Sequence, residues 1–145
     1  MSKKIIGYTC GVYDLLHVGH LNLFERCKKQ CDYLIVGVCD DEYVKKYKDK
    51  KPIICENDRL RLVKALKCVD DAILINSYET VDKLIIWKRL NYNKLFVGSD
   101  WQNTDRFNKT IQQFEENDVN VEIVFLPYTQ GVSTTEIKEK FIENR

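Results

Sequence analysis

No stretch of this chain stays apolar long enough to cross a bilayer, which takes about 20 residues; its hydrophobic runs are strand-sized. An excess of one charge is also missing. Lysine and arginine total 23 against 22 aspartates and glutamates, a formal net charge of +1, so nucleic acid is disfavoured as the main partner. The 6 cysteines, Cys10, Cys27, Cys31, Cys39, Cys55 and Cys68, include no Cys-x-x-Cys pair. Cys27 and Cys31 share a helical face, but no further ligand completes a metal set, and reduced thiols packed as small apolar groups are expected. The amino-terminal segment turns polar too early for a secretory signal. A cytoplasmic protein without a membrane or nucleic-acid partner is expected. Neither a repeat nor a low-complexity linker divides the chain, and 145 residues suggest a single domain over 1–145.

Histidine is scarce and concentrated. The chain has 2, His17 and His20, both in "GVYDLLHVGH" (Gly11 to His20). Around them the sequence alternates. Near-continuous apolar runs, of the kind expected for strands covered on both faces, occur at Lys4–Cys10, Tyr33–Cys39, Ala72–Ile75, Lys94–Gly98 and Val121–Leu126. Helical spacing follows in each gap: Leu21, Phe24 and Cys27; Leu60, Leu62, Val63 and Leu66; Val81, Leu84, Ile85 and on to Leu90; part of Asp105 to Glu116; and Thr134 to about Glu143. This alternation implies an α/β fold, a Rossmann-like parallel sheet of about five strands with helices on both faces. Ligands in such folds sit beyond the carboxyl ends of the strands. The loops to inspect are therefore those after each strand, among them the lysine-rich "DDEYVKKYKDKK", "NSYET", "GSDWQNTDR" and "PYTQGVSTT".

The first of these loops enters a helix, whose free N–H groups and positive dipole end favour an anion. His17 and His20, three apart, reach one helix face. Gly19 between them has no Cβ, so a ligand can approach the backbone. Two donors, a helix start and a bare glycine describe a phosphate cradle. The same residues also permit a hydrogen-bonded core histidine beside a surface one, or a metal pair joined by Asp14.

"GVYDLLHVGH" resembles the H-x-G-H signature of the nucleotidyltransferase superfamily, and "YTQGVSTT" (Tyr128 to Thr135) resembles the R-T-E-G-I-S-T-S/T signature of its cytidylyltransferase branch. Order, spacing and chain length agree. The similarity runs through "DYLIVGVCDDE", "ENDRLRLV", "CVDDAI" and "FVGSDW", and is closest to the glycerol-3-phosphate cytidylyltransferase family. That family makes CDP-glycerol and pyrophosphate from CTP and glycerol phosphate, with Mg²⁺, usually as a homodimer.

The resemblance implies catalytic roles for His17, His20, Lys48 and Arg59. It implies nucleotide contacts from Gly11, Val12, Tyr13, Gly19, Lys50, Asp100, Tyr128, Thr129, Gly131, Val132, Ser133 and Thr134. Asp14, Lys48, Tyr78 and Trp101 are candidates for the acceptor. Lys48 and Lys50 belong to "KKYKDKK" (Lys45 to Lys51), which composition alone marks as a solvated surface loop and the resemblance as a mobile lid. Ser133 with Glu136 forms a capping-box pattern, and Gly131 permits a tight turn. Mg²⁺ is expected to be held mainly through CTP phosphates.

The chain departs from the family at two signature positions. Tyr128 stands where arginine is usual and Gln130 where glutamate is usual. Tyrosine lacks the fixed charge of a guanidinium, and Arg106, in "WQNTDRFNK" with Lys109, is the expected replacement. Phosphoethanolamine, phosphocholine or another alcohol phosphate is an alternative acceptor, and adenylyl transfer a more distant one.

Overall fold

The computed structural model describes residues 4–144. Met1, Ser2, Lys3 and Arg145, at the ends of the domain expected over 1–145, lie outside the described residues. Five strands, β1 (Ile6–Gly11), β2 (Tyr33–Cys39), β3 (Asp71–Ile75), β4 (Lys94–Gly98) and β5 (Glu122–Leu126), form one sheet in the order β3-β2-β1-β4-β5. Every pairing is parallel. Ile6 lies opposite Tyr33 and Gly11 opposite Val38. The order reverses between β1 and β4, where a Rossmann-type sheet opens its binding crevice.

Strand alternation supplies both faces. In β2, Leu34, Val36 and Val38 join one buried cluster with Phe24, Val63 and Phe96, while Ile35 and Cys39 join another with Tyr8, Ile86, Leu95 and Phe107. Helices α1 (Val18–Lys28) and α3 (Glu56–Lys64) contribute to the first cluster. Helices α2 (Asp41–Lys48), α5 (Lys83–Leu90) and α6 (Asp105–Glu116) contribute to the second. The expected architecture, with helices on both faces of about five strands, is the observed one. Among the described residues no helix is long and apolar enough to cross a membrane.

Three local readings change. "DDEYVKKYKDKK" is not a loop throughout: Asp41 to Lys48 is helix α2. Asp40 caps it by accepting from Tyr43 N at 2.8 Å, and acidic residues in its first turn and lysines in its last complement the helix dipole. Tyr43 and Val44 are its buried face. "NSYET" also contains a turn of helix, α4 (Ser77–Val81), capped by Asn76. The apolar pattern from Val81 to Leu90 is broken at Asp82, which is extended (φ −102°, ψ 102°) and caps α5 by accepting from Leu84 N at 2.9 Å. That break sets Lys83 at the start of α5. The remaining helix, α7 (Thr134–Glu143), starts where expected, with Ser133 Oγ accepting from Glu136 N at 3.0 Å.

Candidate active site

A cavity of about 1060 Å³ opens at the carboxyl ends of the strands, across the reversal between β1 and β4. The turn after β1 forms one wall. His17 is the N-cap of α1, and its Nδ1 accepts from Gly19 N at 3.0 Å. His20 Nδ1 in turn accepts from His17 N at 3.2 Å, closing a capping box built from two imidazoles. The rings stack with centroids 3.9 Å apart. A Cβ at Gly19 would lie 2.8 Å from His17 Cε1, so the bare glycine makes room for the cap, while its backbone lines the cavity.

These bonds fix the chemistry of the pair. A ring nitrogen that accepts carries no proton, so the neutral proton sits on Nε2 of each ring. Burial lowers the His17 pKa, and burial together with the charge of His17 lowers that of His20 to about 4. Near neutral pH both rings are uncharged and each offers one N–H donor. Tyr13 buttresses them from below, edge-on to His20 at 5.4 Å and to Phe24 at 5.0 Å. Its backbone is left-handed (φ 57°), as is that of Leu15 (φ 51°), conformations that cost non-glycine residues about 1–2 kcal/mol each and gather at functional turns.

The segment after β5 forms the opposite wall and is bonded to the first. Thr134 Oγ1 donates to Asp14 O at 2.8 Å, Asn22 Nδ2 to Thr129 Oγ1 at 3.3 Å, and Arg26 Nη1 to Pro127 O at 3.0 Å. Gly131 is left-handed (φ 78°), as its turn requires. Tyr128 lies over Gly98, where a Cβ would collide with its hydroxyl. Burial and the neighbouring Asp100 raise that hydroxyl to about 12, so it is a neutral group near pH 7.

Of the expected site residues, Gly11, Val12, Tyr13, Asp14, His17, Gly19, His20, Lys48, Lys50, Trp101, Arg106, Tyr128, Thr129 and Gly131 through Thr134 line this cavity. Three do not. Tyr78 points outward and is 77% exposed. Asp100 is exposed in a short 3₁₀ turn (Ser99–Trp101), where it meets Tyr128. Arg59 is fully buried behind the wall. It donates to Ile54 O at 2.9 Å, Val12 O at 2.6 Å, Cys39 O at 2.7 Å and the Asp41 carboxylate at 2.5 Å. Four of its five N–H groups are thus committed to the protein. It ties together the loops after β1 and β2 instead of reaching the cavity. Asp14 is similarly engaged, its oxygens accepting from Ile53 N and Ile54 N, each at 2.9 Å.

Other lining residues were not singled out in the sequence. Lys51, Lys138 and the buried Lys83 add charge, and Tyr43 and Tyr47 add an aromatic wall. Only the break at Asp82 hints at Lys83 beforehand. Altogether six fixed cations (Lys48, Lys50, Lys51, Lys83, Arg106, Lys138) face two carboxylates, Asp14 and Glu136. A chain of net charge +1 thus carries a local excess of cations in this cleft, which favours a polyanion. The Arg106 guanidinium lies 4.9 Å from the Trp101 ring centroid, a cation–π contact at the cavity lining. All six cysteines are free. Cys31 Sγ donates to Cys27 O at 3.3 Å, and among the described residues no three His, Cys, Asp or Glu converge as metal ligands.

Comparison with known proteins places this geometry. The cytidylyltransferase-like family profile matches residues 8–140. A glycerol-3-phosphate cytidylyltransferase of Bacillus subtilis (strain 168) is 36% identical over 95% of this chain and 96% of its own length. An FAD synthase of Thermococcus sibiricus is 33% identical over 98% of this chain and 95% of its own. Among solved structures, a lipopolysaccharide core biosynthesis protein from Thermoplasma volcanium GSS1 superposes with a TM-score of 0.76 at 30% identity, covering 88% of this chain and 100% of that one.

Proposed function

Because this chain belongs to the cytidylyltransferase-like family of nucleotidyltransferases, we propose that it transfers CMP from CTP to an alcohol phosphate, glycerol phosphate being favoured, and releases pyrophosphate. The observation that carries this reading is the cationic cleft with its pair of neutral histidines at the helix start. A phosphate oxygen of the acceptor attacks the α-phosphorus, the bond to the pyrophosphate oxygen breaks, and the pair of electrons leaves with pyrophosphate. The attacking oxygen is already ionised near neutral pH, so the step needs no general base. The work of the protein is positioning and charge stabilisation.

In this reading the Nε2–H groups of His17 and His20 donate to the nucleotide phosphates. They are neutral, fixed donors, aimed before the substrate arrives. Lys48 and Lys50, at and beyond the end of α2, neutralise charge as it moves to the leaving group. Tyr128 offers a hydroxyl where the family has arginine, and Arg106 supplies the missing charge. Asp14 already has both oxygens bonded to backbone N–H groups, so Mg²⁺ fits here as an ion bound to the triphosphate, not as one held by a side-chain cage. Carried there, it neutralises phosphate charge. We extend to this chain the dimeric state of the family it resembles, to be checked by sedimentation.

The similarity to an FAD synthase supports a second reading, adenylyl transfer to a flavin phosphate. Pyrophosphate release separates the two. CTP is offered with glycerol phosphate, phosphoethanolamine and phosphocholine, and ATP with FMN. Release with CTP and glycerol phosphate is expected. Release confined to ATP and FMN would replace the first reading by the second.

A further inference from the structure

A second, smaller cavity of about 420 Å³ opens beside the first, and the reaction outlined above assigns no ligand to it. It is a groove between the junction of α4 and α5, at Val81 and Asp82, and the first turns of α6, at Arg106, Lys109, Thr110 and Gln113. Val81, Arg106 and Thr110 line both cavities, so the groove runs off the main cleft at these three residues.

Its place in the fold says which substrate can enter it. Helices α5 and α6 pack on the face of the sheet that holds Leu84, Ile86 and Phe107, whereas the histidines begin α1 on the opposite face. Of the residues given above to the nucleotide, only Arg106 reaches the groove. It stands at the junction, with its guanidinium over the Trp101 ring. A ligand end lying farther along, beside Lys109 and Gln113, therefore belongs to the acceptor.

The lining says what that end carries. Asp82 caps α5 with Oδ1, which accepts from Leu84 N and Ile85 N, and this leaves Oδ2 as an acceptor. Thr110 is 6% exposed, and its hydroxyl donates to Arg106 O at 3.3 Å, so its oxygen can still accept. The half-buried Gln113 amide offers both a donor and an acceptor. Lys109 is exposed and offers donors; among the described residues it forms no ion pair. Donors and acceptors interleaved in this way suit hydroxyls, each of which both donates and accepts. A second anionic group would meet Asp82, and an apolar tail would leave the polar lining unpaired.

We propose that the groove between α5 and α6 binds the far hydroxyls of polyol phosphates longer than glycerol phosphate, so that tetritol and pentitol phosphates also serve as acceptors. This inference rests on the cytidylyltransferase reading and widens its acceptor class. Pyrophosphate release from CTP is measured with glycerol phosphate, ribitol phosphate and phosphoglycerate. Wild type is expected to use ribitol phosphate at least as well as glycerol phosphate by kcat/KM. Gln113→Trp, which fills the groove, is expected to lower the ratio of ribitol phosphate to glycerol phosphate use by about tenfold, as for the loss of two hydrogen bonds. Lys109→Ala, at an exposed position, is the second variant if the first does not fold, and should lower the same ratio by about threefold.

Use of ribitol phosphate about tenfold or more worse than glycerol phosphate by wild type overturns the proposal, as does an unchanged ratio in the folded variant. Preference for phosphoglycerate over both polyol phosphates overturns the assignment of the groove to hydroxyls. If wild type releases no pyrophosphate from CTP with any of these acceptors, the cytidylyltransferase reading falls on its own. Calorimetric titration of ribitol phosphate into wild type and Gln113→Trp then still decides for or against the groove.

Discussion

The turn after β1 and the lysines after it in the chain face the same cavity and are built in opposite ways. In the turn, both imidazoles are stacked, each accepts a backbone N–H, and left-handed residues hold the bend. At the end of α2 and just beyond, Lys48, Lys50 and Lys51 are exposed, and none is hydrogen-bonded or ion-paired among the described contacts. The histidine donors are in place before a ligand arrives, so they act without reorganisation. The lysines keep their side-chain freedom and give it up only on binding. Asp14 joins the two systems, since it belongs to the turn but holds Ile53 N and Ile54 N, just past the lysines.

The comparison breaks most visibly at Arg59, the fixed cation behind both regions. Arg59→Met leaves Asp41 unpaired and three carbonyls without their donor. The stranded carbonyls are expected to destabilise the fold by about 2–4 kcal/mol, read as a lower urea midpoint. An unchanged midpoint would show that the buried guanidinium does not hold the loops. Next in size is His20→Ala, with turnover falling about 10²–10³-fold, the usual cost of losing a preorganised donor; steady-state pyrophosphate release measures it. Smaller effects are expected at the free cations. Lys48→Ala and Arg106→Ala should each lower kcat/KM for CTP by about tenfold, with the melting temperature unmoved. A fall in melting temperature alone would make them structural, like Arg59.

A separate effect is on stability against pH. The folded pKa of His20 is lowered to about 4, against about 6.5 in an unfolded chain. Between these values the unfolded state binds more protons, so stability is full above about pH 6.5 and declines as pH falls toward 4. Thermal melts across that window check it, and His20→Gln should flatten the decline.

Much of the fold was legible because buried parallel strands read as short apolar runs. Tyr33–Cys39 and Lys94–Gly98 have the expected ends. Helix α2 was hidden because Tyr43 and Val44 are its whole buried face among lysines, so charge masked a two-residue stripe. The two signature segments lie together across the cavity as expected. What a linear pattern does not hold is direction. Arg59 was read toward the phosphates but spends its donors on main-chain carbonyls. Lys83, in an apolar helical stretch, turns into the cavity because Asp82 breaks the helix just before it. Gly19, read as open to a ligand, lines the cavity and also makes room for the ring of His17, a contact the linear pattern does not show.

The dual role of the histidines, as helix cap and as phosphate donor, is tested most directly by His17→Asn. Asparagine is among the best N-cap residues and keeps an acceptor for Gly19 N, but its short side chain withdraws the outer N–H donor. Pyrophosphate release from CTP and glycerol phosphate is measured beside the melting temperature of the same preparation. Turnover about 10²-fold lower at a nearly unchanged melting temperature is the expected result. Full turnover in the folded variant would contradict the assignment of His17 to the phosphates.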